Sequence, residues 1–151
     1  MHRKGFTLLE ILVVLAVIAI LATISGFSLI RNIRSAELRE AATQVASDLR
    51  SARSRSQRQS DDVVLVLPGT AGGTTYRYDT DLRNLPNNTR LLLKGTGGGA
   101  TSNITYQAPY GELNGAVGSV YLVRSPMAGL RDFEIRIVGV TGKVVLTQAG
   151  S

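Results

Sequence analysis

Hydrophobic and polar positions divide this chain into three successive patterns, of which the first is a long uncharged run. Residues from Ile11 to Ile30 carry no charged side chain, and most of these 20 residues are Ile, Leu, Val or Ala. At a helical rise of about 1.5 Å per residue such a run spans about 30 Å, the thickness of the hydrocarbon core of a bilayer. The first pattern therefore predicts a transmembrane helix over residues 6–30.

The second pattern continues the helix beyond the membrane. Between residues 31 and 60, apolar or small side chains recur at alternating steps of four and three, which places them on one face of a helix. They are Leu38, Ala42, Val45, Leu49, Ala52 and Ser56. The first proline of the chain is Pro68, so no proline interrupts this stretch. We therefore expect one long helix over residues 6–59, whose amphipathic segment, residues 31–60, packs on a globular domain.

The third pattern, from Asp61 onward, consists of short strand-like runs separated by turn residues. The predicted strands are Val63–Leu67, Thr74–Tyr78, Arg90–Lys94, Asn103–Gln107, Ser119–Arg124, Phe133–Val138 and Lys143–Gln148. The last two form a closing hairpin, whereas Leu82–Asn88 is expected to be irregular and Gly95–Gly99 to be a flexible loop. Residues 61–151 should form a β-rich domain, with one antiparallel sheet or two packed sheets, and the fold class is α+β.

An unusual group of residues stands directly before the apolar run. Lys4-Gly5-Phe6-Thr7-Leu8-Leu9-Glu10 places a cation, a glycine and a carboxylate at the start of the transmembrane helix. A carboxylate costs roughly 2.5–3.5 kcal/mol at the centre of a bilayer and less near its edge, so Glu10 needs a partner such as an amino terminus. A secretory signal peptide or a plain membrane anchor is the alternative interpretation. A signal peptide requires a small-residue cleavage site after the apolar run, which Ala22–Gly26 imitates only weakly.

The heptapeptide resembles the processing site of type IV pilins and type II secretion pseudopilins. The resemblance implies that a prepilin peptidase removes residues 1–5 as a leader by cutting after Gly5, and then methylates the new amino terminus at Phe6. It also implies that Glu10 docks the subunit into a growing filament of other pilins or pseudopilins. The protein would then cross the inner membrane once, with its C-terminal domain outside the cytoplasm, before joining a periplasmic or surface filament.

Shorter segments of the C-terminal half are similar to GspH/FimT-type minor pilins and pseudopilins. They are Leu82–Pro86, Ile104–Tyr106 followed by Gly111, and Ile135–Ile137 followed by Thr141–Val144. With these segments the resemblance covers nearly the whole chain, and it implies a minor structural subunit. A type IV pilus and a type II secretion pseudopilus fit the sequence equally well.

DNA uptake is the alternative function that the resemblance offers. Some FimT-like proteins bind DNA through a basic Gly-Arg-x-Arg pattern in the terminal hairpin, whereas this chain has Gly142-Lys143-Val144-Val145 and lacks the second cation. The candidate DNA-binding residues are Arg131, Arg136 and Lys143. Glu134 lies on the same side of its strand as Arg136, so its negative charge offsets part of the positive charge near the turn. We therefore expect DNA binding to be weak and independent of sequence.

The amino-acid composition excludes most kinds of catalytic and metal-binding site. The chain has no Cys, and its single His, His2, lies in the predicted leader, so thiolate chemistry, disulfides and His-based catalysis are excluded for the mature chain. Asp79-x-Asp81 lacks the glycine and the distal glutamate of a calcium loop, and Gly95–Gly99 lacks the Gly-Lys-Ser/Thr of a phosphate-binding loop. We therefore expect no enzymatic activity, no catalytic residue, no bound metal and no cofactor.

The charge balance is moderately basic. The formal net charge is +6, and loss of the two leader cations would leave 15 basic and 11 acidic side chains, a net charge of +4. Arg50, Arg53, Arg55 and Arg58 lie near the end of the long helix, where the helix dipole stabilises positive charge. The dipole and solvation explain this cluster, and contact with nucleic acid is the alternative explanation.

Overall fold

The computed structural model describes residues 7–96, 102–115 and 117–150, with the backbone alone for residues 24–27 and 96. Its longest element is one α-helix, α1 (Leu8–Gln59), which confirms the predicted long helix from residue 8 onward. The helix ends where Ser60 adopts a left-handed backbone conformation, with φ at 53°. The chain divides into two compact units, Met1–Arg34 and Ser35–Ser151.

The unit Ser35–Ser151 contains nine β-strands among the described residues. They are β1 (Val63–Val66), β2 (Thr75–Tyr78), β3 (Asp81–Asn84), β4 (Arg90–Thr96), β5 (Asn103–Gln107), β6 (Glu112–Asn114), β7 (Ser119–Arg124), β8 (Phe133–Val138) and β9 (Lys143–Gln148). All neighbouring strands pair antiparallel, in a first sheet ordered β3-β2-β1-β5-β6 and a second sheet ordered β4-β7-β8-β9. The α+β class with a two-sheet domain is confirmed.

Three segments differ from the pattern-based expectation. The segment Leu82–Asn88 is not irregular throughout, because its beginning belongs to β3 and Pro86–Asn88 forms a short 3-10 turn. The strand β6 was not predicted. The strand β4 continues to Thr96, through an irregularity between Leu93 and Gly95, so Gly95 and Thr96 belong to a strand and not to the predicted loop; residues 97–99 lie outside the described residues.

Both missed strands are edge strands of the first sheet, which explains why their sequences gave no signal. Every residue of β3 is exposed, so it lacks the apolar alternation of a half-buried strand. The strand β6 has only three residues, of which Leu113 alone is buried. An edge strand is held by one neighbour, and its hydrogen bonds to that neighbour need no apolar side chain.

The buried face of α1 is the face that the sequence predicts. Leu38 is 2% exposed, and Ala42, Val45, Leu49, Ala52 and Ser56 are fully buried. Side chains from both sheets join the same core, for example Leu65 from β1 and Tyr121 from β7. Ser56 is the polar residue of this face, and its buried hydroxyl has a hydrogen-bond partner. It donates to the backbone carbonyl of Tyr106 at 3.0 Å.

The turn between β8 and β9 packs closely against the first sheet. The amide of Gly142 donates to the carbonyl of Gly139 at 3.1 Å, which closes the turn. Gly142 has φ at 63°, and a Cβ at this position would lie 2.5 Å from Cε1 of Tyr106 and 3.0 Å from Cγ of Leu113. Both its backbone conformation and its surroundings therefore require glycine.

The outer face of the second sheet carries a buried carboxylate. Glu134 is 4% exposed and accepts hydrogen bonds from Nζ of Lys94 at 2.9 Å and from Nε of Arg136. These bonds, first that of Lys94 and then that of Arg136, lower the pKa of the Glu134 carboxyl although burial opposes them. The expectation that Glu134 and Arg136 lie on the same side of β8 is confirmed.

Replacement of Gly142 should destabilise the fold more than replacement of a neighbouring glycine. We expect Gly142→Ala to lower the free energy of unfolding by roughly 2–4 kcal/mol, since the methyl group adds overpacking to backbone strain. Gly139→Ala is the matched control, because φ is 67° there but the nearest atom lies 3.9 Å away. It should cost only about 1 kcal/mol. Urea unfolding of the full chain in detergent micelles measures both, and equal losses would contradict the close packing at Gly142.

The Glu134 cluster should make stability depend on acid pH. A carboxyl group whose folded pKa lies below the unfolded value of about 4.3 stabilises the fold above that pH, and this contribution disappears as the pH falls through the folded pKa. We therefore expect Glu134→Gln to lower the free energy of unfolding by about 1–2 kcal/mol at pH 7 and by much less at about pH 3. Glu112→Gln, at an exposed carboxylate of β6, is the control. A loss that is the same at both pH values would contradict this assignment.

Candidate functional site: the helix start and a basic groove

The start of α1 is organised by two residues of the predicted processing motif. The backbone amide of Glu10 donates to Oγ1 of Thr7 at 3.2 Å, and Oε2 of Glu10 accepts a long hydrogen bond from the backbone amide of Thr7 at 3.5 Å. This reciprocal arrangement is a capping box, which satisfies amide groups that lack partners within the helix. Gly5 and Phe6, the predicted cleavage and methylation residues, lie outside the described residues.

The capping box is a local signal that our sequence reasoning missed. Thr7-Leu8-Leu9-Glu10 has the spacing Thr-x-x-Glu directly before an apolar run, which is the known sequence pattern of such a cap. The sequence analysis predicts a partner for Glu10 on another chain. The geometry gives its carboxylate a second, intramolecular contact, and the length of that contact makes it a weak one.

The N-terminal segment of α1 exposes apolar side chains on all sides. The described large apolar side chains from Leu8 to Ile33 are each at least 48% exposed. Length and composition make α1 the one helix among the described residues that could cross a membrane, and a signal sequence near an N-terminus passes the same test. Such a surface needs lipid or other apolar helices around it.

The second candidate site is a groove between the C-terminal segment of α1 and the β8–β9 turn. Its lining residues are Arg50, Arg53, Ser54, Gln57, Gly142, Lys143 and Val144, and we call it the basic groove. Arg50 and Arg53 are three positions apart on the helix, so both lie on the side that faces the turn. Nη2 of Arg50 donates to the carbonyl of Val144 at 3.3 Å, which ties the edge strand β9 to α1.

The cations of the basic groove lack acidic partners. Among the described residues, no carboxylate oxygen lies within 4.0 Å of the charged nitrogens of Arg50, Arg53 or Lys143. Elsewhere on the domain such pairs do occur, for example Arg55 with Asp79 at 3.2 Å. The groove is therefore a place of uncompensated positive charge.

Arg53 is the most constrained of these cations. Its Nε is buried and has no hydrogen-bond acceptor within the part of the chain that the structure describes. Burial raises the pKa of the Tyr106 hydroxyl to about 12, and the positive charge of Arg53 acts in the opposite direction. The guanidinium thus carries a buried N–H that nothing in the described chain satisfies.

The structure places the three predicted DNA-binding residues at different locations. Lys143 lies in the basic groove beside Arg50 and Arg53, whereas Arg136 is engaged by Glu134 on the outer face of the second sheet. Arg131 is exposed before β8, at the end of that strand opposite to the β8–β9 turn. The grouping of Lys143 with two helix residues could not be found by periodicity, because the partners are about ninety positions apart in the sequence.

Metal ligands do not cluster in the described residues. No group of three or more His, Cys, Asp or Glu side chains there could hold a metal ion. The chemistry that the two candidate sites offer is therefore ionic pairing and hydrogen bonding: a carboxylate at the helix start, and guanidinium and ammonium groups in the basic groove.

Comparisons with known proteins agree with this description of the helix start and of the fold. Residues 1–26 match the family model of the prokaryotic N-terminal methylation motif. The fold is similar to the crystal structure of the type IV minor pilin FimU of Pseudomonas aeruginosa, with a TM-score of 0.58 and 13% sequence identity over 75% of this chain and 98% of that one. A search of curated proteins finds no match. The chain is therefore type IV pilin-like, in its N-terminal methylation motif and in its fold.

Proposed function

We propose that this chain is a minor subunit of a type IV pilus or of a type II secretion pseudopilus. The observation that carries the proposal is the methylation motif over residues 1–26, joined to a helix whose described apolar side chains are exposed on all sides. Such a helix can first lie in the inner membrane and then among the helices of other subunits, since both surroundings are apolar. The role is structural rather than enzymatic, with the β-rich domain displayed outside the cytoplasm.

Processing comes first in this proposal. A prepilin peptidase cuts after Gly5 and methylates Phe6, so that the new amino terminus directly precedes Thr7. Glu10 is then an acidic group close to this terminus, and its own hydrogen bond to the Thr7 amide is long, at 3.5 Å. The carboxylate can therefore exchange this weak bond for an ion pair with the amino terminus of a neighbouring subunit, which is stronger in a low-dielectric filament core.

Filament assembly should require the charge of Glu10, whereas processing should not. Losing one partner of a buried ion pair typically costs about 3–5 kcal/mol, so we expect Glu10→Ala to be cleaved normally and to remain in the membrane fraction. Intact-mass measurement of the membrane-extracted protein follows cleavage and methylation. Immunoblotting of sheared filaments measures assembly, and filaments that contain as much variant as wild type would contradict the pairing.

Two further variants separate the charge of Glu10 from its capping role. Glu10→Gln keeps a side-chain acceptor for the Thr7 amide but removes the charge, so it should fail in assembly as Glu10→Ala does. If Gln restores assembly, the capping box and not the ion pair is the important interaction. Gly5→Val places a β-branched side chain at the scissile bond and should accumulate with residues 1–5 attached, which checks the cleavage site independently.

DNA capture is the second candidate function, and the basic groove is the observation that favours it. Three cations that have no acidic partner among the described residues gather there, and phosphate contacts from Lys and Arg supply most of the affinity of non-specific DNA binding. The number of cations is small, however, and Arg136 is already engaged by Glu134. The groove therefore supports a weak and sequence-independent contact with DNA.

DNA binding by the full chain in detergent micelles should be correspondingly weak. We expect a dissociation constant no better than about 10⁻⁶–10⁻⁴ M at physiological salt, measured by fluorescence anisotropy across a salt series. Lys143→Ala should reduce the salt slope by about one, and Arg136→Ala should change little. Tighter binding that Lys143→Ala abolishes would make DNA capture the primary function. If binding is absent even at low salt, the structural role alone remains.

A further inference from the structure

Three exposed apolar residues adjoin the backbone segments that line the basic groove, and we call Tyr110, Val138 and Val140 its rim. Tyr110, Val138 and Val140 are 73%, 47% and 58% exposed, and Tyr110 is the one exposed aromatic residue among the described side chains. Each is tied to the groove by the backbone. Nε2 of Gln57 donates to the carbonyl of Tyr110 at 2.8 Å, Val138 stands opposite Lys143 in the β8–β9 register, and Val140 belongs to the turn between these strands.

We propose that the basic groove and this rim form a docking surface for an acidic segment of another subunit in the same assembly. One Asp or Glu carboxylate of that segment enters the groove between Arg50, Arg53 and Lys143, and apolar side chains beside it cover Tyr110, Val138 and Val140. The inference rests on the proposed function, since it names a contact of the displayed domain within the filament. It concerns a surface remote in sequence from the processing motif.

The composition of the groove fits a carboxylate. Arginine presents several N–H groups in a fixed plane that matches the two oxygens of a carboxylate, and Arg50 and Arg53 lie on one side of α1. Ser54 and Gln57 add hydrogen-bonding groups on the same wall. Nε of Arg53 is buried without an acceptor among the described residues, and a carboxylate beside the guanidinium would compensate the positive charge that this burial leaves poorly solvated.

The apolar rim favours a protein segment over a nucleic acid as the partner that binds the groove. Aromatic residues and arginine are enriched at the centres of protein interfaces, where their burial supplies most of the binding energy. A nucleic-acid backbone would leave Val138 and Val140 uncovered.

Site-specific photo-crosslinking in cells that produce the full chain tests the proposal. The photoreactive residue p-benzoylphenylalanine replaces Val140 at the rim, and in the control it replaces Leu82, which is 66% exposed on β3 of the other sheet. The cross-linked peptides are identified by mass spectrometry. We expect the Val140 position to give one major adduct with another pilin-like subunit, at a peptide that contains Asp or Glu.

Charge variants decide whether this adduct reports the proposed contact. Lys143→Gln should lower the yield of the Val140 adduct several-fold, and Lys143→Glu should abolish it. Changing the partner's acidic residue to Lys in the Lys143→Glu background should restore the adduct. Arg131→Glu is the matched control, because it reverses an exposed cation at the other end of β8 and should leave the yield unchanged. Thermal unfolding of each variant checks that the fold is retained.

The outcomes separate this inference from the proposed function. No adduct at Val140, an adduct that is indifferent to the charge at position 143, or an adduct with nucleic acid would overturn the docking surface. In each of these cases the chain can still be found in sheared filaments, so the subunit role stands or falls on its own measurement. A charge-dependent adduct in cells whose filaments lack the chain would contradict both the filament role and the docking surface, because the proposed surface is a contact within the filament.

Discussion

The domain depends on one packing constraint, the burial of a small-residue face of α1 in a core that both sheets share. Ala41, Ala42, Ala46 and Ala52 are fully buried on this face. Their small side chains let the large inward-facing residues of the strands, such as Tyr76 and Tyr121, fill the space beside the helix. Residues of α1 and of both sheets therefore belong to a single core, which makes them one domain.

The same helix meets two different environments, and its sequence changes accordingly. From Leu8 to Ile33 every described large apolar side chain is exposed, whereas from Leu38 onward a single face of the helix is buried and the opposite face is polar. A helix that is apolar all round needs an apolar surrounding, while a one-faced helix needs a partner on one side only. The type IV pilin-like architecture joins these two requirements in one continuous element, with a capping box at its start.

Sequence periodicity predicted the elements that bury one face in the core and missed the elements that bury little or nothing. The buried face of α1 and the interior strands were found because burial imposes a period of 3.6 or 2 on their side chains. The strand β3 has no buried residue, so nothing in its side chains distinguishes it from a loop. Lys143 was recognised as a candidate, but its association with Arg50 and Arg53 depends on tertiary packing that no local pattern records.

The basic groove depends on the backbone conformation and the close packing of Gly142. Gly142 lets the β8–β9 turn approach Tyr106, and the residue that follows it, Lys143, is thereby placed against α1. The bond from Arg50 to the carbonyl of Val144 fixes the same edge from the helix side. Arg136 on the second sheet is paired with Glu134, whereas no carboxylate of the described residues lies within 4.0 Å of the charged nitrogens at this junction. These charges, which no carboxylate of the described residues pairs, are the ones that the proposed docking surface offers to an anionic group from outside the domain.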